Sequence, residues 1–130
     1  MGAVGEASIE VAEADLASAL SFAAGDVYPR VFATSRMIAL MEVAASRAMN
    51  SYLDPGQLSV GVTVDIEHTA PTPHGARVVA RSRLVEREGK LLVFEVIAED
   101  ETGEIGRGRH KRAVVEDARL VAGAERRRRS

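Results

Sequence analysis

The sequence predicts an α+β fold in which an antiparallel β-sheet wraps around one long central α-helix. Three observations carry that expectation. Residues 35–53 repeat apolar side chains at helical spacing, most of residues 58–116 alternate with a period of two, and tight turns join most of the alternating segments. Tight turns require antiparallel neighbours. The chain has 130 residues, enough for one domain and one core. A chain of this length buries roughly 68% of its unfolded surface, so it needs no covalent staple. It contains no cysteine, which excludes disulfides, zinc–thiolate sites and thiol nucleophiles together.

Each element has its own local reason. Residues 6–14, EASIEVAEA, alternate around Ile9 and Val11 and read as a short strand. Residues 15–34 are rich in alanine and interrupted by Gly25 and Pro29, which suits a short helical turn followed by irregular chain. The helix follows, with Thr34 as its expected N-cap and DPG at 54–56 as its stop. In LSVGVTVDIEH, strict alternation puts Val60, Val62, Val64, Ile66 and His68 on one face and Gly61, Thr63, Asp65 and Glu67 on the other. TAPTPHG breaks this strand. The next strand turns Ala76, Val78, Ala80, Ser82 and Leu84 inward, and EREGK closes a hairpin at Gly89. LLVFEVIAED is the most apolar strand, ETGE turns it at Gly103, and the last strand places Gly106, Gly108, His110, Arg112 and Val114 on one parity.

The helix is apolar on most of its circumference. Met37, Leu40, Met41, Ala44 and Ala48 form one stripe, with Ile38, Ala39, Ala45 and Met49 beside it. Such a helix is enclosed rather than laid on a surface. A sheet curled around an enclosed helix is the hotdog arrangement, and Gly106 with Gly108 suits close approach of helix and last strand. One domain is expected over residues 1–116, followed by a flexible, Arg-rich tail over 117–130. No apolar run approaches the ~20 residues of a membrane span, and the N-terminus lacks a basic-then-apolar leader pattern. A soluble, cytoplasmic protein is expected. The net charge of −2 favours no class of partner, and the ERRRRS terminus reads as a solvated end rather than a nucleic-acid contact.

Within this frame Glu42 is conspicuous. Its helical neighbours are Ile38, Ala39, Ala45, Ser46 and Met49, and an unpaired carboxylate among apolar groups costs several kcal/mol. Three roles are open to it: reaching solvent at an edge, joining a structural ion pair, or serving a site. His68 ends an apolar strand face. It is either a satisfied core histidine or a base oriented by a carboxylate. Thr34 either caps the helix or places a hydroxyl among the free N–H groups of its first turn. Arg112 shares its parity with the glycines and points inward or to solvent. His68, His74 and His110 have no ligand-like spacing, so neither a metal nor a separate cofactor is expected.

The segments VFATSRMIALMEVAASRAM, GVTVDIEHTAPTPHG and EIGRGRHKRAVV resemble the fluoroacetyl-CoA thioesterases, a hotdog family acting on acyl-CoA. The resemblance covers residues 28–115. It implies a homodimer that hydrolyses a short acyl-CoA, CoA being part of the substrate. It places the family's catalytic threonine, glutamate and histidine on Thr34, Glu42 and His68, an acyl-pocket glycine on Gly61 and an active-site arginine on Arg112. The family's pocket-gating phenylalanines fall on Gly25 and Tyr28, a departure toward smaller and more polar groups. His68 is then expected to act as general base on water or on Thr34, with Glu42 orienting it or attacking directly, and Arg112 to hold that carboxylate or a CoA phosphate. The alternatives are a hydratase or dehydratase on the same scaffold and a non-catalytic acyl-CoA-binding module.

Overall fold

The computed structural model describes residues 1–129. Strand β1 (Val4–Glu10) leads through two short 3₁₀ turns (Glu13–Asp15 and Ala17–Ala19) into helix α1 (Thr34–Met49). A further 3₁₀ turn (Asn50–Tyr52) precedes β2 (Gln57–His68), β3 (Arg77–Glu88), β4 (Leu91–Asp100), β5 (Gly103–Glu116) and helix α2 (Asp117–Arg129). All pairings are antiparallel and the strand order is β1-β3-β4-β5-β2. The sheet and central helix match the arrangement that the periodicities predict.

Alternation decides which face of each strand meets the helix. Val78, Ala80, Ser82 and Leu84 of β3 are buried, as are Phe94, Val96 and Ala98 of β4. They enclose the Met37, Leu40, Met41, Ala44 and Ala48 stripe of α1. The outer face carries cross-strand ion pairs such as Arg83–Glu95 and Arg109–Glu86. Glycines set the distance between layers. A Cβ at Gly106 would stand 2.7 Å from Met37 Cε, so β5 approaches the helix there. Gly108 serves another contact: its missing Cβ leaves room for Asp65 and Ile66 of β2 rather than for the helix. Gly5 of β1 lies directly against the α1 backbone at Ala44 and Ala48.

Four further details differ from expectation. Thr34 is the first helical residue and Ala33 occupies the cap position, with no side-chain cap. The α-helix ends at Met49; Asn50–Tyr52 of the expected span form a 3₁₀ turn and Leu53 is extended. Helix α1 is not fully enclosed, since Val43 is exposed and Glu42 half-exposed along one side. The segment expected as a flexible tail is helical over Asp117–Arg129 with no buried residue; its last residue, Ser130, lies outside the described residues. No helix among the described residues is long and apolar enough to cross a membrane.

Candidate active site

The start of α1 and the end of β2 meet at one point. Thr34 Oγ1 lies 2.8 Å from His68 Nδ1. This contact explains the missing cap: the hydroxyl is turned to the imidazole instead of the helix backbone. His68 Nε2 is buried and has no partner among the described residues. Burial pushes the His68 pKa below the ordinary histidine value, with the Ala70 backbone opposing it. The imidazole is therefore neutral at pH 7, as a base must be. Thr34 and His68 border a cleft of about 310 Å³ with Pro29, Phe32, Ala70 and Pro71. The first N–H groups of α1 have no intrahelical acceptors, and they lie at the same end of the helix as this cleft. A larger groove of about 490 Å³ on the outer sheet face is lined by ion-paired arginines and contains none of the candidate residues. Chemistry, rather than size, marks the smaller cleft.

Glu42 belongs to a second cluster. Arg112 Nη1 donates to Glu42 Oε2 at 3.2 Å, Arg112 Nε to Ser59 Oγ at 3.0 Å, and Arg112 Nη2 to the Ser59 carbonyl at 2.9 Å. Arg112 is therefore turned inward, its side chain only 7% exposed, while the Glu42 side chain is 40% exposed. His110 completes the cluster, with Nε2 3.0 Å from Arg112 Nη1. Gly61 makes room for it, because a Cβ there would overlap the Glu42 carboxylate. Strict alternation would put Gly61 on the face opposite His68. The register of β2 against β5 instead shifts between Gly61 and Thr63, leaving Val62 as the extra residue. This bulge returns Gly61 to the inward face, paired with Arg112, while His68 pairs with Gly106.

The two clusters do not touch within one chain. Thr34 and Glu42 are eight residues apart on α1, roughly 12 Å along its axis. Gly61 and His68 are seven apart on β2, roughly 23 Å. Expected as partners, Glu42 and His68 instead have Arg112 and Thr34 as their respective neighbours.

The family model for "FlK: Fluoroacetyl-CoA-specific thioesterase" matches residues 11–118. The chain belongs to this family. A fluoroacetyl-CoA thioesterase from Streptantibioticus cattleyicolor is 47% identical over 88 residues, which are 68% of this chain and 63% of that protein. The match thus spans less than two-thirds of that relative's length. A solved structure of the fluoroacetyl-CoA thioesterase FlK superposes with a TM-score of 0.90 at 35% identity, covering 97% of this chain and 95% of the other. A thioesterase-superfamily member from Thermus thermophilus gives 0.87 at 26% identity, covering 98% and 92%.

In this FlK-family chain, Tyr28 is half-exposed on the loop before α1 and does not border the Thr34–His68 cleft. Gly25, at the other gating position, is exposed in the same loop with a positive φ of 99°. Sequence reasoning left two members of the second cluster without a role, His110 and Ser59. His110 shares its strand parity with Arg112, which was a usable signal. Ser59 had none, because its pairing with Arg112 depends on the bulge.

Proposed function

We propose that this protein hydrolyses a short acyl-CoA thioester to the free acid and CoA, in a site that two copies of the chain build together. The observation that carries the proposal is the Thr34–His68 pair: a neutral imidazole held at Nδ1 by a hydroxyl, with its other nitrogen unpartnered. Family membership supports the substrate class.

The mechanism follows from these residues. The thioester carbonyl lies over the start of α1, where unsatisfied N–H groups stabilise the developing oxyanion. His68 donates Nδ1–H to Thr34 and takes a proton from water through Nε2. The hydroxide so formed attacks the carbonyl carbon. Collapse of the tetrahedral intermediate breaks the C–S bond, and the proton on His68 passes to the CoA thiolate. An imidazolium forms on the way, and a nearby carboxylate lowers its energy.

Within one chain Glu42 is too distant to supply that charge, and β2 suggests the remedy. Among the described residues this edge strand pairs only with β5, yet it exposes Leu58, Val62 and Val64, with Val43 of α1 also exposed. An unpaired, apolar edge invites a second strand. Two β2 strands pairing antiparallel set the Gly61 end of one beside the His68 end of the other. Glu42 of one copy then faces His68 of its neighbour, and one dimer holds two equivalent sites.

The test is thiol release from a panel of short acyl-CoA esters. Wild type is expected to free CoA, and His68→Ala to lose roughly 10²-fold or more in kcat/KM. Thr34→Ser is expected to retain most activity and Thr34→Val little. Tight acyl-CoA binding without thiol release, or hydration products in its place, contradicts the proposal.

A further inference from the structure

His110 is buried on β5, 1% exposed, and the hydrolysis set out above does not use it. Its two ring nitrogens have partners of opposite character. Nδ1 lies 2.8 Å from the Thr63 carbonyl oxygen. A carbonyl only accepts, so Nδ1 carries the proton. Nε2 lies 3.0 Å from Arg112 Nη1. A guanidinium only donates, so Nε2 presents its lone pair. Together the partners select a single form, neutral and protonated at Nδ1. Desolvation and the Arg112 charge favour the neutral ring, while Thr63 and the Glu42 carboxylate 3.8 Å away act in the opposite sense.

The Thr63 carbonyl stands beside the β2 bulge, where the ladder to β5 is interrupted. Arg112 is thereby gripped on three sides: Ser59 takes Nε and Nη2, His110 and Glu42 share Nη1. We infer that His110 is the positioning residue for Arg112: as a neutral acceptor it turns the Nη1 edge of the guanidinium onto Glu42, and so sets where that carboxylate is presented. The functional part of this inference rests on the proposal that Glu42 serves the hydrolytic site. The structural part stands on the cluster alone. An imidazolium at position 110 would aim an N–H at a guanidinium N–H and release Arg112 from Glu42.

Two measurements test it. In two-bond ¹H–¹⁵N spectra of histidine-labelled protein at pH 7, His110 is expected as the neutral Nδ1–H form. The Nε2–H form or the imidazolium overturns the inference, whatever the activity. In kinetics, His110→Phe removes the acceptor at similar bulk and is expected to lower kcat about tenfold, the loss of one hydrogen bond to a charged group, with KM little changed. His110→Gln, whose amide oxygen reaches the Nε2 position, is expected to restore most of that loss. In an Arg112→Met background, His110→Phe is expected to cost nothing further. Full kcat in a folded His110→Phe protein, or an equal cost in both backgrounds, overturns the inference while leaving the thioesterase reading intact. Absence of thiol release from wild type removes that reading while leaving the spectroscopic result to stand.

Discussion

At the scale of single residues, the sharpest dependence is on the missing side chain of Gly61. A methyl group there would overlap the Glu42 carboxylate. Gly61→Ala is expected to push Glu42 off Arg112, costing about 1–3 kcal/mol of stability as overpacking does, together with most of the activity. Thermal melts and thiol release check both. Glu42→Gln leaves the guanidinium of Arg112, 7% exposed, without a counter-charge. Because Glu42 itself is 40% exposed, the expected cost is nearer 1–2 kcal/mol than that of a fully buried pair. Glu42 and His68 were legible because each conflicts with its surroundings, a carboxylate on an apolar helix and an imidazole closing an apolar strand face, whereas Gly61 came only from the family resemblance. Their partners were less legible. Periodicity shows which face a residue takes, but not how far along two crossing elements it lies, and that distance separates Glu42 from His68. The one pairing that periodicity misplaced outright, Gly61 opposite the inward face, failed because of a single inserted residue.

At the scale of elements, that insertion makes β2 the decisive strand. Alternation located every strand within a few residues; in β3 and β4 one face is buried against α1 and a one-residue slip would expose it. The bulge was not readable from alternation, which assumes one residue opposite one. The only hint was a glycine inside a strand, a common mark of bulges. Deleting Val62 is expected to close the ladder with Gly61 still opposite Arg112 and Ser59 still opposite Val114, so the Arg112 cluster and most of the stability are retained; melts and thiol release check both. The start of α1 was misread for a related reason. A threonine before an apolar run resembles a cap, yet its hydroxyl is engaged by a strand 34 residues later. Layer contact supplies another expectation. Gly5 touches the α1 backbone at Ala44, which cannot move as a side chain would. Gly5→Val is therefore expected to cost about 3 kcal/mol, at the upper end for overpacking, in a denaturant titration. The helical state of Asp117–Arg129 was hidden because its charged composition suits a solvated end equally well.

At the scale of the whole molecule, two histidines link stability to pH, His110 buried and His68 partly buried. His68 and His110 are both held below their ordinary pKa, chiefly by burial. An unfolded chain takes up these protons near pH 6.5, while the folded protein takes them only at lower pH. The unfolded state therefore binds more protons in that interval, and stability falls as pH drops through about 6.5 toward the lower folded values. Above it the contribution is complete. Denaturant midpoints are expected to decline between about pH 7 and 5.5, and less steeply in His110→Gln.

The same scale holds the question of whether the two separate clusters serve one site. The exposed edge of β2 and the open side of α1 point to a second copy. Mixing two inactive proteins, Glu42→Gln and His68→Ala, decides it most directly. If sites form across paired β2 strands, each mixed dimer has one intact site, and subunit exchange restores roughly a quarter of wild-type thiol release. If the mixture never exceeds the sum of the two variants although mixed dimers form, Glu42 and His68 do not serve a shared site and the account is wrong.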